Sequence, residues 1–478
     1  MKYLNYIFLF LIIAGCKDNN NYKSLAQNFN TTSNYQRTEL NENLLKYVKF
    51  NSDTIALLNA KVFDGNGSPA KENQTLLIIN GYFYSIGNSS EIRLPDNARK
   101  IDLKGKTVIP GIVGVHNHLH IPRFPFVGEI AAKLYLASGV TTIQTCGSAS
   151  PYKEVELAQK IEDGEAIGPK IFASGPYFTG EGGNQNMIIP KNEKQIRDTI
   201  QFWTNRGVRW FKVYRNTNPN DLAIIIDEAH KQNAKVTGHL CSVTFEQATN
   251  LGIDGIEHGF NSTSDFRTNK SYGICDGSRE YIDKLKIDSK EVKRLQRLMI
   301  ENNVYMTSTL AIFESSIPQR GYAEERALKV MSPFLINQYN ERRKRYDSLM
   351  LNSHLREKRL KRIMKFEYQF YKMGGTLTAG VDAGRHVIPG FGDQRNFELL
   401  KEAGFSTEET IKIMTSNGAK ILSESNIGSI EIGKKADFVI LNGEINKNIR
   451  GIEFVFKSGY GFDPILLLKE VEGKFGIE

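Results

Sequence analysis

We predict an α/β fold for this chain, a (β/α)8 TIM-type barrel with a small β-sandwich domain built from both chain ends. Apolar runs of strand length alternate with amphipathic segments of helix length through the middle of the sequence, a pattern that predicts parallel βα units. Short β-prone runs, broken by Asn-Gly and other glycine-containing turns, occupy both ends. The composition, with 40% hydrophobic and 24% charged residues, is that of a globular protein with a packed core.

The central region contains eight candidate strands with helical segments between them. Right-handed crossovers can close eight such strands into a barrel, and an open doubly wound sheet is the structural alternative. In chain order the candidate strands are TVIPGIVGVHNH, TTIQTC, KIFASG, RWFKVY, KVTGHL, GIEHGF, VYMTSTL and TLTAGVDAG.

The predicted domain boundaries follow changes in composition along the chain. Residues 16–52 are polar, Asn-rich and too poor in apolar residues to pack, which predicts a tether. A basic helical region, 323–371, separates the last two candidate strands, and we expect a solvated helix face there. The predicted units are a signal peptide (1–15), the tether (16–52), a barrel (110–424) and a composite β-domain (53–109 with 425–478).

The N-terminus resembles the signal sequence of a bacterial lipoprotein. Its apolar stretch, residues 6–15, is too short to span a bilayer comfortably and ends in Ile-Ala-Gly before Cys16. The resemblance implies that a peptidase cuts before Cys16, that this cysteine is lipidated, and that the exported chain is anchored to a membrane of the bacterial cell envelope. An ordinary cleaved signal with an incidental cysteine is the alternative.

The other cysteines and the net charge carry little functional information. Cys146, Cys241 and Cys275 are odd in number and lack C-x-x-C spacing, so we expect buried or unreactive thiols, without a disulfide framework or a cysteine zinc site. The formal charge of +9 comes without a recognisable nucleic-acid recognition module. We therefore expect no nucleic acid among the partners.

A histidine pair marks the end of the first candidate strand. Residues two apart in a strand point to the same side, so His116 and His118 can both face inward. Two imidazoles on one face suit a divalent transition metal. For a His-x-His pair taken alone, however, a polar loop after the strand is the better interpretation.

Four further polar residues lie towards the C-terminal ends of later candidate strands. Barrel enzymes assemble their sites at this end of the strands. A charge in an apolar strand is costly unless it is paired or metal-bound, so together with the histidine pair these residues predict a metal site. They are Lys212 in RWFKVY, His239 in KVTGHL, His258 in GIEHGF and Asp382 in TLTAGVDAG.

These stretches resemble the amidohydrolase superfamily. The resemblance covers about residues 54 to 478 and includes, in order, VIPGIVGVHNH, GPKIFASGPYFTGEGG, GVRWFKVY, GHLCSVTFEQATNLGIDGIEHGF, AGVDAG and IGSIEIGKKADFVIL. It points to the branch with imidazolonepropionase-like proteins and exported prolidase-type dipeptidases. The resemblance implies a metal-bearing (β/α)8 barrel beside a β-domain assembled from both chain ends.

The resemblance also assigns a metal centre residue by residue. Imidazole ligands favour zinc, with manganese, iron and cobalt as alternatives, and one metal in place of two is also compatible. Metal-activated hydroxide would attack the substrate, and Asp382 would carry the proton to the leaving nitrogen. The implied ligands are His116 and His118 for one metal, His239 and His258 for the other, N-carboxylated Lys212 as a bridge between two Zn²⁺ ions, and Asp382.

Residues near these ligands are candidates for substrate binding. Tyr214 shares the strand face of Lys212 and could donate to an oxyanion or a carboxylate, although a tyrosine that only caps the barrel is an equal alternative. The other candidates are His120, Asn184, Arg215, Arg385 and His386.

The sequence departs from the family pattern at several positions. Gly114 stands where the family usually has an aspartate, two residues before the first metal histidine. Gln144 and Thr145 follow Gly-Val-Thr-Thr where many relatives have Arg-Asp, and Asn184 replaces the histidine of a frequent Gly-Gly-His. All six implied metal-centre residues are present, so we expect an active enzyme.

Two classes of function remain open. The first is an exported metallohydrolase that cuts a C–N bond in a small amide, cyclic amide or dipeptide, with a prolidase-type dipeptidase and an imidazolonepropionase-like enzyme as specific versions. The second is a non-catalytic surface binding lipoprotein on the same barrel. The oligomeric state is not predicted by the sequence.

Overall fold

The computed structural model describes residues 37–184, 186–349 and 353–477, so Cys16 and the predicted signal peptide lie outside the described residues. Strands β1 to β17 are, in chain order, Val48–Phe50, Thr54–Val62, Lys71–Ile79, Tyr82–Asn88, Arg99–Asp102, Thr107–Pro110, Ile112–Asn117, Val140–Thr145, Lys170–Phe172, Trp210–Val213, Lys235–Gly238, Gly255–Glu257, Tyr305–Ser308, Leu377–Ala379, Phe438–Leu441, Ile452–Lys457 and Tyr460–Phe462. Helices α1 to α15 are Gly128–Ala137, Pro151–Glu162, Glu193–Thr204, Pro219–Lys231, Phe245–Asn250, Glu280–Lys284, Lys290–Glu301, Leu310–Glu314, Glu325–Val330, Pro333–Asp347, Ser353–Lys372, Phe391–Glu402, Thr407–Met414, Ser416–Ile421 and Pro464–Glu470.

The middle of the chain alternates parallel strands with helices, as the pattern of apolar runs predicts. Strands β7, β8 and β9 pair in this order in one sheet, and β10 to β14 pair in sequence in another. A large apolar cluster joins these strands to the surrounding helices. The predicted α/β class is therefore confirmed, and the basic region 323–371 is helical as expected, with α9 to α11.

The first candidate strand is divided between two sheets. TVIPGIVGVHNH breaks at Gly111, where Thr107–Pro110 forms β6 and Ile112–Asn117 forms β7. A Cβ on Gly111 would lie 2.1 Å from Thr141 Oγ1, so the crossing of the chain at this point requires glycine. The apolar run therefore belongs to two elements rather than to one barrel strand.

Strands from both chain ends share one nine-stranded sheet. Its order is β1-β17-β16-β15-β6-β2-β3-β4, with β5 beside β2. The two ends of the chain meet where Val439 of β15 pairs antiparallel with Ile109 of β6. Apolar side chains such as Ile55, Leu76 and Phe438 form a separate buried cluster on this sheet. The division into a sandwich and the domain boundaries stay predictions.

Residues 42–50, the last part of the predicted tether, are ordered on the fold, contrary to the prediction. A 3-10 helix, Glu42–Tyr47, leads into β1, which pairs antiparallel with β17. Leu44, Leu45 and Tyr47 supply apolar contacts in an otherwise polar stretch, so this segment packs on the fold.

Throughout the described residues, none of the helices combines the length and the apolar character that crossing a membrane requires.

Candidate active site

The six residues of the predicted metal centre meet at the C-terminal ends of parallel strands. Strands that run in the same direction bring these ends to one edge of the fold, where loops can shape a site. His116 is the last residue but one of β7, and His118 comes just after the strand. Lys212 lies within β10, and His239, His258 and Asp382 follow β11, β12 and β14.

Asp382 lies among three of the histidines. Its Oδ1 is 3.2 Å from His118 Nε2 and 3.4 Å from His116 Nε2, and its Oδ2 is 3.7 Å from His258 Nδ1. One ligand atom each from His116, His258 and Asp382 lie within 4.8 Å of one another, a spacing at which they could hold one metal ion.

Lys212 and His239 complete the cluster. The Lys212 side chain is buried and its Nζ lies 3.1 Å from His116 Nε2, so the lysine points towards the histidines, as a bridging role requires. The ring centroid of His239 is 4.4 Å from that of His258. The structure therefore places all six side chains together, while their roles as ligands stay predictions.

Two members of the cluster escaped the sequence analysis. Glu257 is fully buried, with its Oε2 2.5 Å from His116 Nδ1, and Thr237 Oγ1 donates to its other oxygen. Cys146 is also buried, and its Sγ lies within 4.8 Å of donor atoms on His116 and Glu257. Glu257 could have been found in the same way as Lys212, because it is a charged residue in an apolar strand. The sequence does not distinguish Cys146 from an ordinary buried thiol.

The backbone is strained where the cluster converges. His116, His258 and Asp382 have φ angles of 137°, 69° and 47°. A non-glycine residue in such a region costs about 1–3 kcal/mol, and this kind of strain is concentrated at functional sites. Gly380 permits the close approach of β14 to β7, since a Cβ there would lie 2.7 Å from the His116 carbonyl oxygen.

Burial keeps most of the imidazoles neutral. It lowers the pKa of His118 and of His239 to about 3, and it holds the pKa of His258 well below its usual value. At His116 the same effect is outweighed by the nearby Cys146, Glu257 and Asp382, which raise the pKa of that imidazole. Neutral imidazoles keep the lone pairs that a metal cation needs.

The charges around Lys212 and Asp382 favour the ionised forms of both groups. Burial opposes the charged form of Lys212, but Cys146, Glu257 and Asp382 raise its pKa overall. Burial likewise opposes ionisation of Asp382, and the neighbouring histidines hold its pKa well below the usual range. A neutral Lys212 amine, which carboxylation requires, is therefore favoured once another cation balances these anions.

The donor set fits a divalent transition metal. Imidazoles beside carboxylates are the ligands that zinc and similar ions select. The anionic side chains Glu257 and Asp382 also supply negative charge, which offsets a divalent cation. The number of metal ions and their identity stay predictions.

A cavity of about 1230 Å³ opens beside the cluster. This space suits a small-molecule substrate. Tyr177, which the sequence analysis missed, lies on its wall with its hydroxyl 3.2 Å from His120 Nε2 and 3.4 Å from His118 Nδ1. The lining includes Asp382, His239 and His258 together with the substrate candidates Tyr214, His120, Asn184, Arg215 and Arg385.

His386 is directed away from this cavity. Its Nε2 faces the Gly321 carbonyl oxygen at 2.5 Å, and its ring packs on Tyr339. The loop that follows Asp382 turns this side chain towards α10. The prediction that His386 reaches into the pocket is therefore wrong.

The expectation of unpaired thiols is wrong for two cysteines. Cys241 and Cys275 form a disulfide with a Cα–Cα distance of 4.9 Å, whereas Cys146 is free and buried. Residues 34 positions apart come together because the segment after β12 folds back to the end of β11. Such proximity depends on the tertiary fold, and the spacing of the cysteines gave no indication of it.

Comparison with known proteins assigns the family. A sequence model of the Amidohydrolase family matches residues 107–460, which is more than half of the chain. The chain belongs to the amidohydrolase family. This assignment confirms the superfamily resemblance and supports the predicted enzyme class, a metallohydrolase acting on carbon–nitrogen bonds.

Individual relatives are distant in sequence. The enamidase of Eubacterium barkeri is 23% identical over 221 residues, which cover 43% of this chain and 54% of the enamidase, so the chain matches about half of that relative. A Xaa-Pro dipeptidase structure with bound methionine superposes with a TM-score of 0.63 at 18% identity, covering 86% of this chain and 100% of the other. For bottromycin amidohydrolase the TM-score is 0.68 at 14% identity, with 91% and 95% covered. These structures show a shared fold.

Proposed function

We propose that this protein is a metal-dependent hydrolase that cleaves a C–N bond in a small amide, cyclic amide or dipeptide. The observation that carries the proposal is the convergence of four histidines, a lysine and an aspartate, of which all but His116 line the cavity. A cluster that combines buried ionisable groups with strained backbone at the end of parallel strands is expected of a catalytic centre.

Asp382 is the proton carrier in this proposal. It is an ionised carboxylate at working pH, its side chain is 24% exposed and it faces the cavity, so a substrate can reach it. It would accept the proton of the attacking water at a carboxylate oxygen and return it to the leaving nitrogen, two transfers that occur in sequence. His118 Nε2 lies 3.2 Å from Oδ1, which places the carboxylate directly beside the histidine cluster.

The four histidines, Lys212 and Asp382 would hold the metal in this proposal. When bound, a divalent cation lowers the pKa of water and polarises a substrate carbonyl. We infer that Lys212 serves as an N-carboxylated bridge, which the short distance to His116 Nε2 supports. Its anionic carbamate would offset the charge of two cations, whereas an ammonium group would repel them.

We infer that the two parallel sheets close into a single (β/α)8 barrel. Isolated parallel bridges, Ser174 with Trp210 and Phe178 with Val213, link the region after β9 to β10. On the other side, Asp382 N donates to the His116 carbonyl oxygen at 2.9 Å, which links the end of β14 to β7. Closure of the barrel would bring all the proposed metal ligands to the same end of it.

A prolidase-type dipeptidase is the specific version that we favour for testing first. Its support is the fold shared with a Xaa-Pro dipeptidase and with a prolidase that was solved with N-methylphosphonate-L-proline. A cyclic amide hydrolase would use the same centre. The specificity therefore has to be measured with substrates.

The proposal is tested by supplying purified protein with Zn²⁺, Mn²⁺ or Co²⁺ and a panel of Xaa-Pro dipeptides, other dipeptides and cyclic amides. We expect turnover of at least one class, loss of that turnover in Asp382→Asn, and no loss in His354→Asn, an exposed control histidine. A metal-loaded protein that turns over no amide, yet binds one equally well with Asp382→Asn, would support the non-catalytic binding lipoprotein instead.

We also propose that the chain is exported and anchored through lipidated Cys16. The support is the lipobox-like sequence, together with a disulfide, a bond that persists in oxidising compartments. Labelling of the full chain with a fatty-acid analogue should mark wild type but not Cys16→Ser, and the variant should leave the membrane fraction. Equal labelling of both chains would contradict the proposal.

A further inference from the structure

One wall of the cavity is built from three arginines, Arg215, Arg267 and Arg279, which we call the arginine wall. Arg215 follows β10, whereas the other two lie in the segment between β12 and α6. Only Arg215 was a candidate from sequence. The three guanidinium groups therefore come together through the tertiary fold.

The arginine wall lacks acidic partners. Within the described ranges of the chain, no carboxylate oxygen lies within 4.0 Å of these three guanidinium groups. Arg267 Nη1 donates to the Asp276 carbonyl oxygen at 2.9 Å, Arg279 Nη1 donates to the Asn261 carbonyl oxygen at 2.9 Å, and Arg215 Nη2 lies 3.5 Å from Cys275 Sγ. Their hydrogen bonds are with neutral acceptors, and Asp276 and Asp283 act on Arg267 and Arg279 at longer range, without a direct ion pair.

The acidic groups nearby are engaged elsewhere. The Asp276 carboxylate accepts from Ser271 N at 2.8 Å, and Asp283 pairs with Arg359 at 2.8 Å. Asp265 accepts from the backbone at the start of α5. Among the described residues that line the cavity, Asp382 in the histidine cluster is the one carboxylate.

Arg267 has a donor that is ready for a ligand. Its Nε is buried and has no hydrogen-bond partner among the described residues. A buried donor without a partner is unfavourable, and a hydrogen bond to a ligand oxygen would remove that cost. Burial, followed by the charges of Arg267, Arg359 and Arg215, also lowers the pKa of Arg279 to about 10, as expected where cations crowd together.

The disulfide fixes the arginine wall relative to the catalytic cluster. Cys241 lies two residues after His239, and its partner Cys275 lies in the segment that carries Arg267 and Arg279. The bond therefore ties the arginine-bearing segment to the strand end that supplies His239. A ligand held by the wall would keep a set distance from Asp382.

We propose that the arginine wall is an anion subsite that binds the two carboxylates of an acidic amino-acid moiety, so that the substrate class is an amide or peptide of an acidic residue. Guanidinium forks match carboxylates in bidentate geometry, and three of them exceed what a single carboxylate balances. This inference rests on the proposed hydrolase function for its catalytic meaning. The binding itself does not depend on turnover.

The test measures binding of glutarate to the full metal-loaded protein by calorimetry, with butyrate, neutral glutaramide and inorganic phosphate as comparison ligands. We expect glutarate to bind at least tenfold more tightly than butyrate, with no detectable binding of glutaramide. Arg267→Gln and Arg279→Gln, made separately, should each weaken glutarate binding at least tenfold. Arg206→Gln should not, because Arg206 is exposed just after α3 and contacts Phe202 instead.

Metal content and thermal unfolding are measured for every variant, so that loss of metal or fold is told apart from loss of the subsite. Arg267→Lys keeps a charge and should retain part of the affinity. Equal binding of glutarate and glutaramide, or unchanged glutarate binding in folded Arg267→Gln and Arg279→Gln, would overturn the inference. Tighter binding of phosphate than of glutarate would overturn the choice of carboxylates. If glutarate binds as expected but no amide is hydrolysed, the proposed function fails and the subsite stands.

Discussion

Asp382 combines three properties at the scale of a single residue. It contacts the histidine cluster, it is ionised, and part of its carboxylate reaches the cavity. Its backbone is also held at a φ of 47°, which aims the side chain at the cluster. These properties make it the residue on which activity should depend most sharply.

Replacing Asp382 with asparagine should lower kcat by roughly 10²–10⁴-fold, because a positioned general acid–base usually accelerates a reaction by that factor. The amide keeps the size of the side chain but cannot take up the proton. Steady-state kinetics on the substrate found by the panel, with metal content measured alongside, would check this. A variant that keeps its metal and stays within tenfold of wild-type kcat would contradict the role.

Gly114 shows how a departure from the family pattern is accommodated. A Cβ at this position would lie 2.4 Å from Asn117 Nδ2. Asn117 Oδ1 in turn accepts from Val381 N at 3.1 Å, next to Asp382. The space that an aspartate side chain would need is therefore taken by Asn117, a substitution pattern that one sequence alone could not explain.

Gly114→Ala should lower the free energy of unfolding by about 1–3 kcal/mol, as overpacking does. Urea denaturation measures this cost. The matched test is the same change in an Asn117→Ala background, where the cost should shrink because the clashing group is gone. An equal cost in both backgrounds would show that Asn117 is not the obstacle.

At the scale of elements, most of the site residues that the sequence predicted lie at the ends of strands. Polar residues at the ends of apolar strands identified Lys212, His239, His258 and Asp382, because a buried charge is conspicuous in such a run. The same criterion applied to GIEHGF would have found Glu257. Whether a polar residue lies at the end of an apolar run can be read directly from the sequence.

The site residues that lie in loops could not be predicted from the sequence. Arg267, Arg279 and Cys275 belong to the segment between β12 and α6, which has no periodic pattern that would predict their direction. Their place on the cavity wall depends on the fold that brings Cys275 to Cys241. Tyr177 is similar, since its partners His118 and His120 come from another loop. Contacts of this kind follow from tertiary packing.

Cys275→Ser should loosen the segment between β12 and α6. Loss of a disulfide costs about 2–4 kcal/mol of stability, because the unfolded chain gains freedom. Chemical denaturation should show this loss, and limited proteolysis should cut between residues 262 and 279 sooner than in the oxidised wild type. Reduced wild-type protein should behave like the variant. Identical cleavage of oxidised wild type and Cys275→Ser would contradict a pinning role.

At the scale of the whole molecule, a buried acid links stability to pH. Burial raises the pKa of Glu367 from 4.5 to about 8, while a hydrogen bond from Ser308 Oγ at 2.7 Å acts in the opposite direction. Between these values the folded state holds a proton that the unfolded state has released. The contribution of Glu367 to the free energy of unfolding therefore falls as pH rises from about 4.5 to 8 and levels off above the folded pKa.

Glu367→Gln should remove this pH dependence, because glutamine resembles the protonated acid. The difference in Tm between variant and wild type should be more positive at pH 9 than at pH 5, measured by thermal unfolding. Glu301→Gln, at an exposed position on α7, serves as the control and should keep the wild-type profile. Parallel profiles for Glu367→Gln and wild type would contradict the raised pKa.

The overall architecture was predictable because its signals are periodic. Alternation of strands and helices predicted the α/β class, and similar β-prone runs at both ends predicted one β-domain. The structure places strands from both ends in one sheet. The junction at Gly111 and the packed residues 42–50 were not predicted, since an apolar run does not show where it changes sheet. Such boundaries depend on which partner strand is available.

The central claim is that the histidine cluster binds a divalent metal, and metal analysis of the purified protein tests it most directly. Mass spectrometry of the dialysed protein should find one or two equivalents of a divalent transition metal per chain in wild type and in His354→Ala. His116→Ala and His118→Ala, each checked for folding, should retain less than half of that amount. Wild type that retains no metal after loading, or histidine variants that retain all of it, would contradict the claim.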